Sequence, residues 1–103
     1  MGAKVTTPFR SVKFGDWLAR NNNTVYQAAT DGIVHATANY ANLQGLTDNA
    51  NPPITERRRW DAGGYGEPVG GITFAVKKGD YWKVNNANLY VWWISLENIW
   101  GLY

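Results

Sequence analysis

Leu89-Tyr90-Val91-Trp92-Trp93-Ile94-Ser95-Leu96 is an apolar run that does not alternate. Laid out as a strand, it points Leu89, Val91, Trp93 and Ser95 one way and Tyr90, Trp92, Ile94 and Leu96 the other. A strand wetted on one face carries polar residues at every second position. This one is apolar on both faces, and its length and its aromatic and branched content favour a strand over a helix. It needs cover on both sides, which a chain of 103 residues with one modest core does not supply alone. The expectation is that the second face meets another copy of the chain, with Leu89, Val91, Trp92, Trp93 and Ile94 at the interface. Ile99, Trp100, Leu102 and Tyr103 carry the apolar character onward, so the end of the chain is expected to be tied down.

The composition agrees. Six Trp, six Tyr and three Phe exceed what one small core holds, since each buried aromatic removes roughly 150–250 Å² from water. The surplus is left for an interface or a ligand surface. A net charge of +2 is too weak a balance to argue for nucleic acid. No apolar stretch reaches the length of a membrane span, and the first eight residues lack the apolar centre of a signal peptide. With no cysteine there is neither a disulfide nor thiolate chemistry.

Helix signals are nearly absent, and short strands separated by turn residues predict a single all-β domain over residues 1–103, with 1–12 as a lead-in. Val12–Leu18 reads as a first strand. Thr24–Ala28 and Ile33–Ala38 read as a hairpin about Thr30-Asp31-Gly32, with Gly32 at positive φ. A polar loop spans Asn39–Pro53, then Ile54–Trp60 forms a strand, and a glycine-rich loop spans Asp61–Gly71. Ile72–Val76 alternates, with Ile72, Phe74 and Val76 on one face. Lys77-Lys78-Gly79-Asp80 is a turn, Tyr81–Val84 a strand, and Asn85–Asn88 the turn before the last strand. Seven or eight strands make the count of a jelly-roll-like antiparallel β-sandwich.

The order of these pieces resembles the tip domains of phage tail fibres. Thr24-Val25-Tyr26-Gln27-Ala28-Ala29-Thr30-Asp31-Gly32-Ile33-Val34 is similar to their early hairpin. Ile72-Thr73-Phe74-Ala75-Val76-Lys77-Lys78-Gly79-Asp80-Tyr81-Trp82-Lys83-Val84 is similar to their central block, and Val91-Trp92-Trp93-Ile94-Ser95-Leu96 to their closing strand, with Ser95 where Pro is common. The resemblance spans about Phe14 to Leu96. It implies a homotrimer shaped like the jelly rolls of complement and tumour-necrosis-factor type. Such a trimer sits at the distal end of a virion fibre or spike, on a shaft, and attaches outside the host cell to a surface glycan or protein. The resemblance implies no cofactor, and no binding residue carries over from it.

Taken on their own chemistry, most candidate sites read as structural. His35, the only histidine, lacks the cysteines or clustered carboxylates of a metal site. Ser11 and Ser95 lack a nucleophile-elbow context. Asp61 with Glu67, or Glu56 with Asp61, could flank a glycosidic bond, but no spacing selects either pair, so an enzyme is not expected. Arg57-Arg58-Arg59 reads either as a charged edge strand or as a cationic contact for an acidic ligand. The long loops are the best binding candidates. Tyr40, Trp60, Asp61 and Tyr65 combine aromatic faces with hydrogen-bonding groups suited to sugars. Two weaker alternatives are a purely structural protein capping a fibre and a polysaccharide-acting enzyme.

Overall fold

The computed structural model describes residues 8–61 and 69–102. These residues form strands and connecting turns, with no helix among them. The strands are β1 (Pro8–Arg20), β2 (Tyr26–Gln27), β3 (Gly32–Asn39), β4 (Leu43–Asp48), β5 (Glu56–Trp60), β6 (Val69–Val76), β7 (Tyr81–Asn85) and β8 (Tyr90–Leu102). They make two four-stranded antiparallel sheets, ordered β1-β8-β3-β6 and β2-β7-β4-β5. The pairing is nested: β1 with β8, β2 with β7, β3 with β6, β4 with β5.

The sheets meet face to face over an apolar core. Val34, Ala36, Ala38, Ile72, Phe74, Val76, Val91 and Trp93 come from the first sheet, and Leu43, Trp82 and Val84 from the second. Trp82 and Trp93 stack across the layers with ring centroids 5.7 Å apart, and Tyr26 stacks on Trp82 at 4.8 Å. The alternation read from Ile72, Phe74 and Val76 holds, since all three are buried.

Between residues 24 and 53, three expectations need correction. Thr24–Ala28 and Ile33–Ala38 are not a hairpin: β2 pairs with β7, β3 pairs with β6 and β8, and the two lie in different sheets. Gly32 is the first residue of β3 and has no positive φ; among the described glycines the left-handed one is Gly79, at φ 88° in the turn between β6 and β7. Gly32 is needed for space, because a β-carbon there would stand 2.2 Å from Cη2 of Trp93. Lastly, the supposed loop Asn39–Pro53 contains β4, which lies between β5 and β7.

The first strand begins at Pro8, so residues 8–12 of the expected lead-in belong to it. β1 and β8 run together for thirteen residues each, whereas β3 leaves β8 at the Gly32–Ser95 pair. Past that point Pro8–Phe14 and Leu96–Leu102 pair only with each other, as a two-stranded ribbon. This gives the molecule its length, 72 Å against 30 and 19 Å. Pro8 and Leu102 lie at the ribbon's far end. The turns between β1 and β2, β3 and β4, and β7 and β8, and Asp61 after β5, sit at the opposite pole.

Candidate functional site

The two faces of β8 do different work. Val91 and Trp93 are buried in the subunit's own core. Tyr90, Trp92 and Ile94 lie on the outer face of the sheet, in register with Thr37, His35 and Ile33 of β3 and, for Trp92 and Ile94, with Ala19 and Trp17 of β1. Of the five residues expected at an interface, Val91 and Trp93 are therefore closed to a neighbour. Ile94 is itself only 6 % exposed, while Leu89 and Trp92 remain accessible.

That outer face is apolar and open. Phe14 is 60 % exposed, Trp17 52 % and Tyr90 59 %. Tyr90 stacks on Trp92 at 6.2 Å. Trp17, His35 and Trp92 line a trough of about 320 Å³. His35 is held at its edge by a 2.8 Å hydrogen bond between Nδ1 and the Thr73 hydroxyl. A β-bulge at Gly15 and Asp16 shifts the register between Phe14 and Trp17, so both of these aromatics share the outer face with Leu96 and Ile94, their partners on β8.

At the pole away from the ribbon, asparagines knit the turns together. The Asn39 backbone N–H donates to Asn88 Oδ1 at 2.7 Å, and Asn88 Nδ2 donates back to the Asn39 carbonyl at 2.7 Å. Asn86 Nδ2 donates to the Asn42 carbonyl, and the Ala87 N–H donates to Asn22 Oδ1. These amides are engaged in loop structure. Tyr40 stands free above them, 75 % exposed at φ 52°.

Asp61, also exposed, lies at this pole beyond Trp60, whose register partner is Leu43 at the far end of the short Tyr40–Asn42 turn. Trp60 is half-committed to structure: its ring packs against the core and against Gly70, where a β-carbon would meet it at 1.9 Å. Tyr65 lies outside the described residues. The geometry thus brings Tyr40 and Asp61 to one end and removes Trp60 as a free platform.

The arginines of β5 differ from one another. Arg59 donates from Nε to Glu56 Oε1 at 2.8 Å and lies 3.6 Å from Asp61. The bonds from Arg59 and Gln44 hold the Glu56 carboxyl below its ordinary range, and Glu56 in turn raises Arg59. Arg57 donates from Nε to the Thr47 carbonyl at 3.2 Å, and no described carboxylate pairs with it. Among the described residues no three His, Asp or Glu side chains gather as a metal cluster. Comparison with family models, curated proteins and solved structures yields no match for this chain.

Proposed function

We propose that this chain is a self-assembling attachment module: a homotrimeric fibre-tip domain of the phage type that holds a host-surface glycan or protein. The observation that carries the reading is the open aromatic face formed by Phe14, Trp17, Tyr90 and Trp92. A contiguous apolar patch of this kind marks an interaction surface. Head-to-tail contacts about a three-fold axis would cover it and close without leaving a sticky edge. The ribbon supports the same reading, because a two-stranded hairpin is marginal in water and gains from partners.

The strand orders β1-β8-β3-β6 and β2-β7-β4-β5, with their nested pairs, support a jelly-roll topology, one long hairpin rolled into two sheets. The polarity of the molecule supports the attachment role. Any segment continuing from either end leaves from the ribbon pole, while Tyr40 and Asp61 face outward at the other. Three copies on one tip raise avidity without new contacts.

The test is a glycan array and a host-cell binding assay with the wild-type protein and with Tyr40→Ala and Asp61→Ala. Wild-type binding that falls in these variants at unchanged melting temperature is expected. A protein that binds no glycan and no cell surface is a structural cap, and the attachment role is then wrong.

A further inference from the structure

On one flank the edge strand β6 faces β5, the edge strand of the other sheet, and the gap between them is a cleft of about 390 Å³. It is lined by Arg57, Lys77 and Asp80 around the apolar surface of Phe74 and Ala75. We propose that this cleft binds one carboxylated sugar, of uronic-acid type, within an acidic surface polysaccharide. The inference deepens the attachment reading and rests on it.

Arg57 is the anchor. Its Nε bond to the Thr47 carbonyl fixes the guanidinium against β4, and among the described residues no carboxylate takes its other nitrogens. A planar fork of N–H donors matches a carboxylate bidentately. Arg59 is differently placed, since Glu56 and Asp61 already neutralise it. Lys77 adds a second cation beside the cleft, at the turn after β6.

The third charged group decides the ligand class. A carboxylate repels a dianion or a polyacid more than a monoanion rich in hydroxyl donors, and Asp80 lines the same cleft. A sugar acid uses all three: its carboxylate faces the cations, its hydroxyls donate to Asp80, and its C–H face rests on the exposed Ala75. The two threonines lining the cleft are engaged elsewhere, Thr47 Oγ1 donating to the Tyr81 carbonyl and Thr73 Oγ1 bonded to His35, so the charged side chains do the recognising. The volume is in the range of small-ligand clefts. The cleft lies beyond β3 from the aromatic strip of β1 and β8, so trimer assembly through that strip leaves it accessible.

The experiment is calorimetric titration of the intact protein with oligogalacturonate, with neutral maltohexaose, inorganic phosphate and polyglutamate as comparisons. Oligogalacturonate alone is expected to bind. Arg57→Gln should weaken it about tenfold or more, the scale of one charge-assisted pair. Lys77→Gln should weaken it several-fold, and Arg59→Gln by less than twofold, with melting temperatures unchanged. Should Arg57→Gln prove unstable, Lys77→Gln and Asp80→Asn carry the test, both weakening the sugar without unfolding. Equal loss in Arg59→Gln would show a diffuse charge effect and overturn the site. Phosphate or polyglutamate binding as tightly as the uronate overturns the ligand class, the latter in favour of an acidic peptide. Binding of other glycans on the array, insensitive to Arg57 and Lys77, overturns this cleft and leaves the attachment reading intact.

Discussion

A β-carbon at Gly32 would stand 2.2 and 2.5 Å from two atoms of the Trp93 ring and 2.7 Å from the Ile94 carbonyl, whereas one at Gly79 would meet nothing within 4 Å. The two glycines, both beside an aspartate, are thus required for different reasons. Gly32→Ala should cost about 1–3 kcal/mol by overpacking the Trp93–Trp82 stack. Gly79→Ala should cost about 1 kcal/mol through its left-handed φ alone. Thermal denaturation compares them; equal shifts, or a silent Gly32→Ala, would contradict the packing account. Asp48 offers a pH test. Its carboxylate accepts the backbone N–H groups of Ala50, Ile54 and Thr55 at 2.8, 2.9 and 2.8 Å, closing the loop after β4. Those bonds, Ile54's foremost, lower its pKa to about 2. A folded-state pKa below the unfolded value means that its stabilisation is complete above the ordinary carboxylate range and fades as pH falls toward 2. The melting temperature should therefore drop more steeply from pH 4 to pH 2 in the wild type than in Asp48→Ala. Parallel curves would show that Asp48 holds nothing.

At the scale of elements, β8 is where side-chain identity separates folding from assembly. Trp93→Ala empties a core position and should cost about 3–5 kcal/mol, read as a large fall in melting temperature. Trp92→Asp, on the outer face, should keep the β-sheet circular dichroism and lose the oligomer. Unfolding by Trp92→Asp would place that side chain in the core instead. Much of this was legible in the sequence: the two-faced run of β8 and the alternation of β6 each state their burial in residue order. β4 was hidden because Gly45 and Thr47 occupy its inward positions. They are small there because the Phe74 ring lies against Gly45, where a β-carbon would be 2.5 Å away, and because Thr47 sits in register with Trp82. A core strand that accommodates large partners need not look apolar. The partners of β2 and β3 were illegible for another reason. A tight turn constrains the chain locally but not the sheet that each flanking strand joins, and here β2 and β3 pair with residues thirty or more positions further on. Of the loop residues singled out from the sequence, Tyr40 and Asp61 are exposed at one pole, whereas Trp60 packs against the core, which loop composition does not disclose. Arg57 was read with its two neighbours as one patch, and only the pairing of Arg59 with Glu56 and Asp61 separates them.

The whole molecule is a two-layer β domain with a ribbon at one pole, outward-facing Tyr40 and Asp61 at the other, and an uncovered aromatic face along one side. A face carrying Phe14, Trp17, Tyr90 and Trp92 in water favours association through the apolar area removed. The ribbon extends that face, since Val12 and Phe14 within it are also exposed. Closed three-fold assembly would cover this face and support the ribbon, and the trimer proposed above would form through it. The most direct test is the mass in solution by multi-angle light scattering at micromolar concentration, for the wild type and for Trp92→Asp. The expected mass is three times the 11.5 kDa of one chain for the wild type, and that of a single folded chain for Trp92→Asp. A monomeric wild type, or a trimer that Trp92→Asp leaves intact, would contradict it.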